Sequence, residues 1–251
     1  MKILLLGHNG FLGSYLRGLL DVDVLLDRDV YDNGIDYDYV INCIGRADID
    51  YCETHKEETD YSNRDVMLDI QACYPYSRVI NFSSYFVYDS DGICSEDSRV
   101  TYKYNYCRQL LEKEQLVKFG VTFRLGKLFG HSQKKQKKLT EYIIQNDNLI
   151  LDSVEFNPTS LKQIYKAILY ELSTQNLYGI YNLANKNLTT PFEYGVFIDK
   201  IMGTHKKIIR GIETKRIFHN NGRFSMSLEK ISKHINLTDW EEDMITYLKS
   251  L

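Results

Sequence analysis

The sequence MKILLLGHNGFLG, residues 1–13, decides the fold class of the chain. Its apolar run Ile3–Leu6 has the length of a short buried strand, and a glycine pattern at Gly7, Gly10 and Gly13 follows at once. Apolar residues at helical spacing come next, so the stretch predicts a strand, a glycine turn and a helix. Glycines at such a turn let the backbone approach a pyrophosphate and let the helix pack closely on the strand. We therefore expect a dinucleotide-binding site here.

The next hundred residues continue the alternation of strand and helix. Continuous apolar runs at residues 22–26, 39–44, 78–82 and 121–125 suit parallel strands covered on both faces, and helices are expected at 57–73 and 102–118. Eleven residues separate Asp27 from Tyr39, which is short for a crossover helix, so we expect a turn or a stunted helix there. The pattern predicts an α/β fold, a Rossmann-type doubly wound parallel sheet with a small C-terminal substrate lobe.

The second half of the chain is less regular. Helices are expected at residues 139–145, 161–172, 192–202, 228–235 and 240–248, with strands at 149–151 and 180–183. We predict a dinucleotide-binding Rossmann part at residues 1–130 and a smaller substrate-binding part at 131–251 packed on it. The ligand cleft should then lie between the two parts.

Composition excludes several classes of protein. The 31 basic and 34 acidic residues give a net charge of -3, which favours neither nucleic acid nor an anionic membrane as a partner. No apolar stretch approaches the ~20 residues needed to cross a bilayer. The five cysteines are odd in number and form no CxxC pair, which points to a reducing cytoplasm. The six histidines lack ligand spacing, so no metal site is expected, and a homodimer is left open.

Asp27 and Arg28 stand where the second predicted strand ends. A carboxylate at this place can accept a hydrogen bond from a ribose hydroxyl, whereas a guanidinium can meet a 2′-phosphate. The pair therefore leaves the choice between NAD and NADP open, and a solvated strand-end pair is the alternative for Arg28.

An ordered series of motifs extends along the chain. After MKILLLGHNGFLG come VINCIGRADIDYCE, Asn63, SSYFVYD, FRLGKLFG, NPTS at residues 157–160, GIYNLA and a final TDW. In this series the chain resembles the dTDP-4-dehydrorhamnose reductases, extended short-chain dehydrogenase/reductases that complete dTDP-L-rhamnose synthesis. The resemblance covers nearly the whole length. It implies NADP or NAD as cofactor, bound by residues matching Gly7, Asn9, Gly10, Phe11, Leu12, Asp27, Arg28, Cys43, Ile44, Gly45 and Asn63.

The resemblance also implies a set of catalytic residues. Ser84 matches the residue whose hydroxyl hydrogen-bonds the carbonyl being reduced, and Tyr104 matches the proton-donating tyrosine. The family places a lysine four residues after that tyrosine, and Arg108 stands there in this chain. Arginine keeps the positive charge but is bulkier and prefers planar partners, so a slow reductase is expected.

The residues matching the substrate side depart further from the family. Tyr85 and Phe86 stand where the reductases more often have an aspartate and then a tyrosine that contacts the substrate, and Thr159 lies in the NPTS motif. Lys134 and Lys135 begin a lysine-rich loop that could clamp a diphosphate, with a solvated turn as the alternative.

The resemblance predicts an NAD(P)H-dependent reductase of a nucleotide-linked 4-keto-6-deoxy sugar, serving deoxysugar and surface polysaccharide synthesis. An epimerase of the same superfamily would need further acid and base residues near Ser84, and Tyr85 and Phe86 do not supply them. A non-catalytic protein is the other alternative, since the regulatory β subunit of methionine adenosyltransferase resembles these reductases. Arg108 favours that alternative, whereas Ser84 and Tyr104 oppose it.

Overall fold

The structure, a computed structural model, describes residues 1–25, 30–89, 92–134, 139–211 and 224–251. Its strands are β1 (Ile3–Leu6), β2 (Asp23–Val24), β3 (Tyr39–Asn42), β4 (Arg78–Ser84), β5 (Gly92–Cys94), β6 (Gly120–Leu125), β7 (Lys127–Phe129), β8 (Asn148–Leu151), β9 (Pro158–Ser160), β10 (Gly179–Leu183), β11 (Lys207–Arg210) and β12 (Phe224–Met226). Its α-helices are α1 (Phe11–Arg17), α2 (Ile49–Thr54), α3 (Lys56–Asp60), α4 (Val66–Cys73), α5 (Asn105–Leu116), α6 (Leu139–Gln145), α7 (Leu161–Thr174), α8 (Pro191–Met202), α9 (Glu229–Ser232) and α10 (Trp240–Leu248).

Six of these strands form one parallel sheet in the order β10-β6-β4-β3-β1-β2. The chain runs outward from β1 to the edge strand β2 and then returns to β3 on the other side of β1. Such a reversal opens a crevice at the carboxyl ends of the two strands, where α/β proteins bind ligands. The predicted Rossmann-type fold is confirmed.

The alternation of side chains in β1 shows why both faces of the sheet need helices. Ile3 and Leu5 are buried in one core with α1 and α7, whereas Leu4 and Leu6 are buried in another with α4. Successive side chains of a strand point to opposite faces, so a strand that is apolar throughout needs cover on both. The continuous apolar runs of the sequence thus correspond to strands of a sheet that helices cover on both faces.

Several predicted element bounds differ from the structure. The helix expected at 57–73 is interrupted by a π-helical turn, Tyr61–Asp65, between α3 and α4. Residue 25 and residues 30–38, the described parts of the connection from β2 to β3, contain neither helix nor strand, which agrees with a turn and not with a stunted helix in these residues. The helix expected at 102–118 begins later, because Tyr104 has an extended backbone (φ -98°, ψ 140°) and stands just before α5.

A further core, distinct from the two on the faces of the sheet, forms beside the carboxyl ends of the strands. Phe129, Phe156, Tyr194 and Trp240 pack there with side chains from α6, α8 and α10. Strand β10 nevertheless belongs to the central sheet and α7 packs on one of its faces, although both come from the second half of the chain. The division at residue 130 therefore stays a prediction. Within the described ranges, no helix combines the length and apolar character needed to span a bilayer.

Candidate active site

A cavity of about 290 Å³ lies at the carboxyl ends of β1, β3, β4 and β6. Its wall is built by the segments that follow these strands and by one face of α5. The lining residues are Gly10, Phe11, Leu12, Asn42, Cys43, Ile44, Gly45, Arg46, Ala47, Asn63, Phe82, Ser83, Ser84, Tyr85, Phe86, Tyr106, Leu110, Lys113, Leu125, Gly126, Lys127, Leu128 and Leu139. The cavity thus coincides with the crevice that the strand order predicts.

The glycine turn forms one wall of the cavity because its glycines permit very close packing. A Cβ atom on Gly7, whose φ is +72°, would lie 2.6 Å from the backbone carbon of Cys43, and one on Gly13 would lie 2.2 Å from the Gly7 oxygen. Gly10 precedes α1 without a side-chain cap, and Gly10, Phe11 and Leu12 line the cavity. Gly7 shapes the turn without lining the cavity.

Asn9, also predicted to bind the cofactor, is exposed and does not line the cavity.

The loop after β3 forms the part of the wall next to the glycine turn. Cys43, Ile44 and Gly45 line the cavity, as the predicted cofactor site requires. Asn63 holds this loop in place, since its Oδ1 accepts a hydrogen bond from the Arg46 backbone N–H at 2.7 Å and its Nδ2 donates to the Arg46 carbonyl at 3.1 Å. Asn63 is buried and lines the cavity, so it positions the loop that a ligand would contact.

Ser84 and Tyr106 bring a hydroxyl and a phenol to the same wall. Ser84 ends β4 and Tyr106 lies in the first turn of α5, and both line the cavity. The Ser84 hydroxyl lies close enough to the Tyr106 phenol to affect its pKa, and its oxygen accepts a hydrogen bond from the Phe86 backbone N–H at 3.3 Å. Burial raises the pKa of Tyr106 above its usual range, and Ser84 offsets a part of that effect. The phenol therefore keeps its proton at neutral pH.

The structure does not bring Tyr104 and Arg108, the predicted proton donor and its cation, to the cavity. The side chain of Arg108 donates to Asp60 Oδ1 at 3.0 Å, to Asn105 Oδ1 at 2.6 Å and to Glu112 Oε2 at 2.9 Å. Side chains two residues apart on a helix differ by about 200° of rotation about its axis, which puts them on nearly opposite sides. Arg108 therefore lies on the side of α5 opposite Tyr106. Tyr104 precedes the helix, partly exposed, with the Lys103 ammonium 5.3 Å from its ring centre.

Three cationic side chains line the cavity, and none of its described lining residues is a carboxylate. Arg46 follows β3, Lys113 projects from α5, and Lys127 begins β7. The chain as a whole is slightly acidic, so this local excess of positive charge is a property of the site. A ligand that carries negative charge, such as a diphosphate, would be favoured there.

The residues predicted to bind the substrate have different outcomes. Tyr85 and Phe86 line the cavity, with ring centres 4.5 Å apart. Thr159 does not, because it is buried behind the wall, where its hydroxyl accepts a hydrogen bond from the Gly126 backbone N–H at 3.1 Å. Lys134 is exposed and does not line the cavity.

Three predicted site residues, Asp27, Arg28 and Lys135, lie outside the described residues.

Tyr106 and Lys113 line the cavity with a phenol and an amine, although neither is among the residues predicted from the sequence. With Leu110 they form a set at positions i, i+4 and i+7, which marks one face of a helix. That spacing was a signal available in the sequence. Tyrosines at 102, 104 and 106 compete for the same role, however, and only the start of α5 shows which of them lies in the helix and faces the sheet.

Comparison with known proteins places this geometry in a family. The profile of the RmlD substrate binding domain matches residues 1–251. No curated protein is similar enough to count as a match. Among solved structures, a dTDP-4-dehydrorhamnose reductase from Clostridium acetobutylicum superimposes with a TM-score of 0.86 at 19% identity, covering 100% of this chain and 99% of that one.

Two further structures show what related folds bind. The dTDP-4-dehydrorhamnose reductase from Bacillus anthracis in complex with NADP has a TM-score of 0.83 at 18% identity, with 99% of each chain covered. MoeE5 in complex with UDP-glucose and NAD has a TM-score of 0.81 at 17% identity, covering 99% of this chain and 98% of that one. At these identities the likeness establishes a shared fold.

Proposed function

The chain belongs to the RmlD substrate binding domain family, and from this premise we propose that it is an NAD(P)H-dependent reductase of a nucleotide-linked 4-keto-6-deoxy sugar. The family assignment agrees with the resemblance drawn from the sequence motifs. The observation that carries the proposal is that Ser84 and Tyr106 meet on the wall of the cavity that the glycine turn also lines.

A nicotinamide dinucleotide fits the residues present. The turn at Gly10 leaves the backbone of Phe11 and Leu12 open to the cavity, and three cations but no described carboxylate line the wall. The buried Ser83 hydroxyl has no hydrogen-bond partner within the described part of the chain and lines the same cavity. A buried polar group without a partner is costly, and a polar ligand would satisfy it.

The chemistry divides between the ligand and the chain. A bound NAD(P)H supplies the hydride that adds to the carbonyl carbon of the sugar. The Ser84 hydroxyl orients the carbonyl by donating a hydrogen bond to its oxygen. The Tyr106 phenol transfers its proton to that oxygen as negative charge develops, and the phenolate regains a proton from solvent. Burial keeps the phenol protonated at neutral pH, so Tyr106 is ready to act as the acid.

Tyr106 thus takes the role of proton donor, which the motif match in the sequence assigned to Tyr104. Of these two tyrosines, Tyr106 lines the cavity with Ser84 and Tyr104 does not. Leu110 then stands four residues after the proton donor, where the family has its lysine, and Arg108 takes no part in the reaction. A neutral residue at that place is the observation that favours the alternative, a non-catalytic binding protein.

The decisive experiment compares two tyrosine variants as a matched pair. Tyr106→Phe should lower the kcat of NADPH oxidation with dTDP-4-keto-6-deoxy sugar by about 10²- to 10⁴-fold, the usual contribution of a general acid. Tyr104→Phe should leave kcat within a few-fold of the wild type. Stopped-flow absorbance of NADPH gives both rates, and the NADPH Kd of each variant shows whether the cofactor still binds.

The reverse order of effects would return the role to Tyr104 and overturn our assignment. If the wild type binds NADPH and oxidises none of it with dTDP- or UDP-linked 4-keto sugars, the protein is a binding protein and the reductase proposal fails.

The choice of cofactor, the cellular location and the oligomeric state are part of the same proposal. NADP and NAD both remain in it, since Asp27 and Arg28 lie outside the described residues. A cytoplasmic location is supported by five cysteines that are all free thiols. A homodimer stays a prediction from the sequence.

A further inference from the structure

Lys113 is a buried lysine at the wall of the cavity. Its side chain is 2% exposed, although lysine is almost never buried without a partner. No hydrogen bond or ion pair of its ammonium group occurs among the residues that the structure describes. The adjacent Glu114 cannot serve as its partner, because the Glu114 carboxylate is bound to Arg124 at 2.6 Å.

Lys113 lies on the face of α5 that lines the cavity, near the loop after β3. Tyr106, Leu110 and Lys113 share one face of the helix, since they are spaced i, i+4 and i+7. Long helical side chains lean toward the N-terminus and cover the preceding turn, so the stem of Lys113 extends over the turn that contains Leu110. Cys43, in the loop after β3, lies close enough to the amine for each group to shift the pKa of the other.

We propose that Lys113 is a cofactor-binding residue whose ammonium group donates hydrogen bonds to ribose or phosphate oxygens of the bound dinucleotide. It thereby supplies the positive charge that the family's lysine would provide at the position of Leu110, from about one helical turn further along α5. This inference rests on the proposed function for the identity of the ligand. It does not depend on turnover, because it concerns binding alone.

Protonation of Lys113 gives the inference a signature of its own. Burial lowers the pKa of Lys113 to about 8, with Glu114 and Cys43 opposing that shift. The other titratable or charged side chains around the cavity are Arg46, Lys127, Cys43, Tyr85 and Tyr106. Burial raises the pKa of the last three, so they stay neutral near pH 8. An oxygen ligand favours the ammonium form, so binding at pH 8.5 should take up a proton at Lys113.

The first test measures this proton uptake in the wild-type protein. Calorimetric titration with NADPH and with NADH at pH 8.5, in two buffers of different ionisation enthalpy, gives the number of protons taken up. We expect roughly half to three quarters of a proton per dinucleotide, because an amine with a pKa of about 8 is mostly neutral at pH 8.5 and becomes charged on binding. Binding without proton uptake would contradict the inference.

The second test removes the positive charge of Lys113 and then places a lysine at position 110, about one turn earlier in α5. Lys113→Met should raise the Kd for NADPH about 10- to 100-fold, the usual effect of losing a hydrogen bond to a charged group, and should abolish proton uptake. Leu110→Lys in the Lys113→Met background should recover most of the affinity. Lys103→Met, which removes an exposed lysine just before the same helix, is the control and should leave Kd unchanged.

The outcomes separate this inference from the proposed function. Equal affinity of wild type and Lys113→Met overturns the role of Lys113 and leaves the reductase proposal standing. Weaker binding by Lys113→Met, in a protein that reduces no keto sugar, supports Lys113 and overturns the reductase. A wild type that binds neither dinucleotide overturns both.

Discussion

The buried charge of Lys113 opposes folding. Its pKa falls from 10.5 to about 8 because burial disfavours the ammonium form. The unfolded chain holds that proton up to about pH 10.5, so between pH 8 and 10.5 the unfolded state binds more protons than the folded state. The contribution of this residue to stability therefore rises with pH in that window. A residue kept at such a cost is more readily explained by binding than by packing.

Lys113→Met should stabilise the protein at pH 7. The gain in free energy of unfolding should reach up to about 3 kcal/mol, since one unit of pKa corresponds to about 1.4 kcal/mol. The gain should shrink as the pH rises from 8 and should vanish well above 10.5, where the amine is neutral in both states. Urea unfolding of variant and wild type across this range gives the difference, in which the shared titration of Tyr106 cancels. No gain at pH 7 would mean that the amine is solvated.

At the scale of the element, α5 has two faces with separate tasks. Tyr106, Leu110 and Lys113 face the cavity. Arg108 on the other side binds Asp60 of α3, and Arg64 joins the same group of charges through Glu112 at 3.1 Å. This cluster ties α5 to α3 and to the π-helical turn. Its members are each about a quarter to a third exposed, so solvent weakens the attraction.

Arg108→Ala should therefore act on stability and leave function intact. We expect a loss of about 1 kcal/mol or less in the free energy of unfolding, after allowance for solvent screening. The Kd for NADPH and the kcat of reduction should stay within two- to three-fold of the wild type. The measurement is urea unfolding beside steady-state kinetics. Had Arg108 replaced the family's lysine, the alanine variant would be nearly inactive, so a large loss of kcat would restore the sequence-based assignment.

At the scale of the whole molecule, a buried carboxylate joins the C-terminal helix to the rest of the fold. Asp243 of α10 accepts hydrogen bonds from Ser160 at 2.6 Å and Asn185 at 2.8 Å, and Lys162 lies 3.0 Å away. Burial alone would raise the pKa of Asp243, but these partners outweigh it and hold the pKa below the usual range. The network links α10 with the end of β9 and the start of α7.

Asp243→Asn should lower stability and flatten its dependence on acid pH. Because the folded pKa is depressed, the stabilisation is present above roughly pH 4 and is lost as the pH falls further. At pH 7 the variant should lose about 2 kcal/mol or more, the scale of hydrogen bonds to a charged group. Thermal unfolding between pH 3 and 7 gives both quantities. Glu242→Gln, an exposed neighbour, is the control, and an equal effect of the two variants would contradict the role of the network.

The sequence by itself determined the parts of this protein that depend on local pattern. β1 has the predicted bounds, and α6 and α10 begin and end at the predicted residues. Gly10 of the glycine turn, the loop after β3 and Ser84 line one cavity, because the carboxyl ends of parallel strands meet at one edge of the sheet. Motif order was enough to name the family.

Only the tertiary structure decided which side chains meet in the cavity. Tyr102, Tyr104 and Tyr106 are equivalent by composition, and a motif match chose Tyr104. The choice depends on where α5 begins and which face it turns to β4, and both follow from packing with residues distant in the sequence. A shift of two residues turns a helical side chain to the opposite side, because a helix has 3.6 residues per turn. For the same reason Lys113 reads as an ordinary surface lysine until the folded chain buries it against the loop after β3.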